Sequence, residues 1–195
     1  MRLAFLAGVL LSTLSGAYAD ILFGPITNPA NGHEYILLNN STWTDSEAQA
    51  EAMGGHLATI NDAAEDNWVY STFSNFGGQP RHLWIGLSSG GSDGSVLSNY
   101  HWADGEALSY SNFGIFEPNF PDEYFVFIIG PADLYFGGQW NNWYDIATAE
   151  YGGGGPLLPV NGVVEIVPEP STWLLVALSL VVCASSKSKR ASRLP

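Results

Sequence analysis

Glu117-Pro118-Asn119, Glu123 and the run Trp140-Asn141-Asn142-Trp143 place five side chains with carboxylate or amide oxygens on two short segments. Oxygen donors of mixed charge suit a hard cation such as calcium, which takes about six to eight of them. Pro118 adds a geometric device. An X-Pro bond adopts the cis form at small cost, and a cis Glu117–Pro118 bond would turn Glu117 and Asn119 toward one point. Glu117 and Glu123 are also the residue types of a glycosidase pair, but the amides beside them favour binding over hydrolysis. Trp143 and Tyr144 fit either stacking on a sugar face or packing beside Trp140. The four histidines, His33, His56, His82 and His101, are scattered without metal-ligand spacing and read as structural. No nucleophile-elbow pattern accompanies the serines.

Two helices and several strands must position these groups. Thr44-Asp45-Ser46-Glu47 reads as a capping box, with Thr44 as N-cap and Glu47 reaching back. Residues 48–53 continue that helix, and Gly54-Gly55 stops it. A second helix starts near Asn61 or Asp62 and runs through residues 63–70. Apolar runs at 35–38, 83–87, 124–129 and 163–167 have strand length and turn residues at their ends. The sum is an α+β domain with long Gly- and aromatic-rich loops.

The ends carry address signals. Residues 1–19 combine Arg2, an apolar stretch and Ala17-Tyr18-Ala19, the pattern of a secretory signal peptide cleaved before Asp20. Residues 20–30 are a lead-in to the domain. Near the other end stand Pro168-Glu169-Pro170, an apolar run at 173–184, and the cluster Lys187, Lys189, Arg190 and Arg193. This order resembles the PEP-CTERM sorting signal of Gram-negative bacteria, covering 168–195. The resemblance implies transient membrane association through a short C-terminal helix and cleavage by an exosortase at the Pro-Glu-Pro. A permanent membrane anchor is the alternative.

Between the signals the charge is lopsided. Of nineteen Asp and Glu, all but Glu169 lie in 20–167, and of six Lys and Arg only Arg81 does, a net charge of about −17. Such a surface repels nucleic acid and anionic membrane and attracts divalent cations. The sole cysteine, Cys183, lies in the terminal signal. Thiol catalysis, thiolate zinc sites and disulfides are therefore excluded from the exported part.

Five motifs in order bring a family into view: Gly54-Gly55-His56-Leu57-Ala58-Thr59-Ile60 after the first helix, Trp84-Ile85-Gly86-Leu87, Trp102-Ala103-Asp104-Gly105 with Ser109 to Phe113, the Glu117–Asn142 cluster, and Val163-Val164-Glu165-Ile166. Over residues 31–167 the chain resembles a C-type lectin-like domain. The resemblance implies that fold: two helices, small antiparallel β-sheets and a long loop region. It implies a non-catalytic, calcium-dependent carbohydrate site with Glu117, Asn119, Glu123 and Asn141 as ligands to metal and sugar, and Asn142 as a fifth metal donor. Glu-Pro-Asn goes with mannose-type sugars in that family. Two departures stand out. The family's usual Trp-Asn-Asp is here Trp140-Asn141-Asn142, one negative charge fewer. The positions of its two disulfides fall on Ala50 with Val164, which can pack as apolar neighbours, and on Phe125 with Asp145, which cannot. Trp43, Trp68, Trp84, Trp102 and Trp140 are then expected to supply an aromatic core instead. Delivered to the envelope, cell surface or extracellular matrix, such a protein would bind carbohydrate, for instance an exopolysaccharide. The competing expectation is a metal-independent matrix or adhesion protein that binds a protein partner.

Overall fold

The computed structural model describes residues 20–133, 135–149 and 157–168. The expected signal peptide lies outside the described residues, as do Glu169, Pro170 and the apolar and basic segments beyond them; Pro168 lies inside. No helix among the described residues is long and apolar enough to cross a membrane.

Helix α1 (Trp43–Ala52) is capped by Thr42, whose side chain accepts from Asp45 N at 3.1 Å. This corrects the capping box expected at Thr44. Thr44 sits in the first turn, and its hydroxyl donates to Asp145 Oδ2 at 2.6 Å. Glu47 does not reach back. It accepts from Leu57 N at 2.8 Å and meets His56 Nδ1 at 2.6 Å. The earlier start has a physical reason: Thr42 offers the same hydroxyl cap, and entering the helix lets Trp43 stack on Phe125 and donate from its indole to Ile85 O at 2.8 Å. Helix α2 (Ala63–Phe73) starts as expected. Its N-cap Asp62 accepts from Ala64 N and Glu65 N at 2.8 and 2.9 Å.

Among the described residues nine strands join in one sheet: β1 (Ile21–Thr27), β2 (Glu34–Asn40), β3 (His56–Leu57), β4 (His82–Ser88), β5 (His101–Trp102), β6 (Phe125–Ile128), β7 (Trp140–Trp143), β8 (Thr148–Ala149) and β9 (Leu158–Ile166). The main path runs β1-β2-β9-β4-β6-β7, with β3 and β8 also on β9, and β5 on β4. These pairings are antiparallel except β4 with β9. Ile21–Thr27, expected as a lead-in, is a strand zipped to β2. Trp140–Trp143, expected only as a loop of ligands, is the strand at the opposite edge.

β4 lies against β9 on one side and β6 on the other, which is why Leu83-Trp84-Ile85-Gly86-Leu87 is apolar without alternation. Leu83, Ile85 and Leu87 enter a core with Phe73, Trp102 and Trp140, while Trp84 points into a second cluster with Leu57 and Phe127. A Cβ on Gly86 would stand 2.4 Å from Leu57 O, so only glycine lets β3 approach. Trp84, Trp102 and Trp140 are buried, and Trp43 and Trp68 pack against them half-buried, forming the expected aromatic core.

The two missing disulfides are replaced differently. Ala50 and Val164 are both fully buried in one small apolar cluster under α1 with Ile36 and Leu38. Phe125 and Asp145 do not pair with each other; each docks on the start of α1 instead. Phe125 stacks on Trp43 at 4.8 Å, and Asp145 accepts from Thr44 N and Thr44 Oγ1 at 3.0 and 2.6 Å.

Candidate functional site

The long segment between β5 and β6 carries the first three candidate ligands and is tied down at several points. Asp66 of α2, buried to 3% exposure, accepts from Tyr110 OH, Asn112 Nδ2 and Trp140 Nε1 at 3.1, 2.7 and 3.0 Å. One carboxylate thus binds a helix, the loop and the first residue of β7. Gly94 N donates to Pro121 O at 3.0 Å. A Cβ at Gly94 would fall 2.1 Å from Glu123 O, so the loop after β4 closes on the site loop only through glycine.

The Glu117–Pro118 bond is cis. Asn119 Nδ2 donates to Glu117 Oε1 at 3.0 Å, so the two side chains meet. Asn119 N lies 3.3 Å from Asn142 Oδ1, joining the loop to β7. The amide of Asn142 donates to Glu123 O at 3.0 Å and faces Gly94 O and Phe120 O at 3.3 and 3.5 Å. Tyr100 OH shares two of those acceptors, Gly94 O at 2.8 Å and Glu123 O at 3.1 Å. Glu117, Asn119, Glu123 and Asn142 are therefore brought together. Asn142 is fully buried, and its side chain bridges loop and strand. Asn141, the preceding residue of β7, lies opposite Phe127 and is buried.

Electrostatics mark the site. Burial pushes Glu117 up to about 7. Burial, with the charges of Glu117 and Asp122 adding to it, pushes Glu123 up to about 8. Among the described residues three acceptor oxygens are buried with no hydrogen-bond partner, and two of them, Glu117 Oε2 and Asn141 Oδ1, belong to the candidate ligands; the third is Asn161 Oδ1. Buried acceptors left without donors are costly, and oxygen atoms in that state match the ligand chemistry of a hard cation. The residues present thus fit such an ion by donor type.

Sequence reasoning missed a second polar cluster. His33, Glu65 and Glu165 converge at the junction of β2, α2 and β9. His33 Nδ1 meets Glu165 Oε1 at 2.5 Å, and Tyr35 OH donates to Glu65 Oε1 and Glu165 Oε1 at 2.5 and 3.0 Å. Thr59 N and Asn61 N close the remaining carboxylate oxygens at 2.9 and 2.8 Å. His56 with Glu47 and Glu51 forms another group. His33 and Glu165 are 132 residues apart, so no local spacing could reveal that cluster, whereas Glu47 and Glu51 precede His56 on the adjoining helix.

The family profile described as Lectin C-type domain matches residues 39–125. Glu117, Asn119 and Glu123 fall inside that match, and Asn141 and Asn142 follow it. One chain of the snaclec salmorin of Gloydius brevicauda is 35% identical over 109 residues, which are 54% of this chain and 70% of that one. C-type mannose receptor 2 of Homo sapiens is 32% identical over 122 residues, 60% of this chain but 7% of the receptor. Among solved structures, human lithostathine superposes with a TM-score of 0.54 at 23% identity, covering 73% of this chain and 97% of that one. That last likeness is one of fold.

Proposed function

The chain belongs to the C-type lectin domain family, and from that premise we propose that it is a non-catalytic, calcium-dependent carbohydrate-binding protein with a mannose-type site. Glu117, Asn119, Glu123 and Asn141 would hold the ion, with Asn142 as a further donor. The observation that carries this reading is that two of the proposed ligand oxygens, Glu117 Oε2 and Asn141 Oδ1, are buried without partners, and that a further proposed ligand, Glu123, is buried as well. A bound calcium would offer open coordination positions to vicinal sugar hydroxyls. The chain's own groups then orient the sugar: Glu117 and Glu123 accept from hydroxyls, and the amides of Asn119 and Asn141 donate to them. The Glu-Pro-Asn triplet and the relative named as a mannose receptor support mannose-type hydroxyl geometry.

The sequence features at the two ends support export and a PEP-CTERM-type sorting step by an exosortase, with the domain delivered to the bacterial envelope, surface or matrix, where an exopolysaccharide is a natural ligand. The second reading, a metal-independent matrix protein that binds a protein partner, is favoured by one observation: the Asn142 amide is already engaged with loop carbonyls. Binding to a mannan-coated surface, with calcium and then with a chelator, separates the two. Chelator-sensitive capture is expected. Capture that ignores the chelator, or no calcium uptake at millimolar supply, rejects the lectin reading.

A further inference from the structure

Four large apolar side chains stand in solvent around the candidate site. Ile115 is 62%, Phe116 84%, Phe120 55% and Tyr144 40% exposed. Phe116 and Phe120 directly flank Glu117-Pro118-Asn119. Tyr144 directly follows β7, two residues beyond Asn142. The loop fixes the backbones of these rings. Glu123 N donates to Phe120 O at 3.4 Å, and Glu117 N donates to Gly114 O at 3.0 Å, closing the turn that holds Phe116. Phe116 has a φ of 72°, a left-handed conformation that a bulky side chain rarely adopts. Glycine or asparagine would sit there at lower cost, yet the chain presents a phenyl group to water.

Resting on the calcium-lectin reading, we propose that Phe116 and Phe120, with Tyr144, form an apolar rim that selects neutral saccharides bearing an O-acyl group near the chelating hydroxyls. Charge argues for neutrality. Glu117, Asp122 and Glu123 crowd the site, and Arg81, the one Lys or Arg of 20–167, is buried on a different segment before β4. Apart from the ion itself, a uronate or sulfate would meet carboxylates and no cationic side chain to pair with. Hydroxyl groups laid against phenyl rings lose water without gaining a partner, whereas an acyl methyl gains by leaving water.

The test is a pair of calorimetric titrations in calcium, with methyl α-mannoside and with its 6-O-acetyl derivative. The protein is expected to bind the acetylated ligand about fivefold tighter. In the double variant Phe116→Asn, Phe120→Ser the ratio is expected to fall close to one; asparagine accepts the left-handed backbone. A rise in melting temperature on adding calcium reports that the variant is folded with its ion site intact. A ratio of one in the unaltered protein, or a preference that survives in the variant, overturns the rim while the calcium reading stands. Phenyl-dependent dimerisation with a ratio of one also overturns it, in favour of a second copy on this surface. Binding of neither ligand in calcium overturns the lectin reading itself, and the rim with it.

Discussion

The amide of Asn142 donates to Glu123 O and faces Gly94 O and Phe120 O. An aspartate there would meet the same carbonyls with no proton to offer, but would restore a full charge to the donor set, and charge count tunes calcium affinity. Asn142→Asp is expected to lower the melting temperature of the calcium-free protein and to tighten calcium binding by about tenfold. Calorimetry with no gain in affinity would count against this geometry. Glu117 and Glu123 give a second expectation. Their folded values of about 7 and about 8 stand above the ordinary 4.5. The folded chain therefore binds more protons than the unfolded one, so this contribution to stability is complete below about pH 4.5 and is lost as pH rises through 7 and 8. Asp66 and Glu165, also raised by burial, act in the same direction. His82, held near 4 by burial, opposes them only below its ordinary 6.5. In chelator, the melting temperature should fall between about pH 6.5 and pH 8.5, and added calcium should raise it more at the higher pH. A flat or rising profile would mean that these carboxylates are not desolvated in the folded protein.

Elements meet through a few polar ties. Asp66 satisfies three donors from two other segments, so removing it leaves the buried Trp140 indole without its acceptor, while the Asn112 amide keeps Gly138 O. Asp66→Ala is expected to cost about 2–3 kcal/mol by chemical denaturation, and to weaken calcium binding because Trp140 opens β7. A loss under about 0.5 kcal/mol, typical of surface positions, would show that the tie does not hold the loop. Much of this level was legible. The second helix's start near Asn61 or Asp62, the Gly54-Gly55 stop and the four apolar runs all reappear in the structure, because each depends on neighbours in the chain. The α1 start was misplaced by two residues because Thr42 and Thr44 are equivalent cappers locally; only Phe125, distant in sequence, decides that Trp43 joins the helix. β1 was missed because Gly24 and Pro25 interrupt its pattern, with register shifts on either side of Phe23. β7 hid behind its polar Asn141-Asn142.

At the scale of the whole molecule, the order of motifs identified the fold, while the site's depth did not show in the sequence. Five candidate oxygen donors could be named in advance. That Asn141 and Asn142 are both buried could not, since it follows from β7 pairing with β6 at the sheet edge. The carboxylate clusters of Glu65 with Glu165 were equally invisible, being a junction of three elements. β9 has a consequence for how the chain assembles. It pairs with β2, β3, β4 and β8 and so occupies the middle of the sheet, yet it is the last of the described strands in chain order. A polypeptide emerging amino end first therefore carries β1 and β2 with an unfilled slot beside them until residue 166 has appeared. Without that keystone neither hairpin nor helix can seal its core. Closure of the sheet is thus deferred until the last described strand is present.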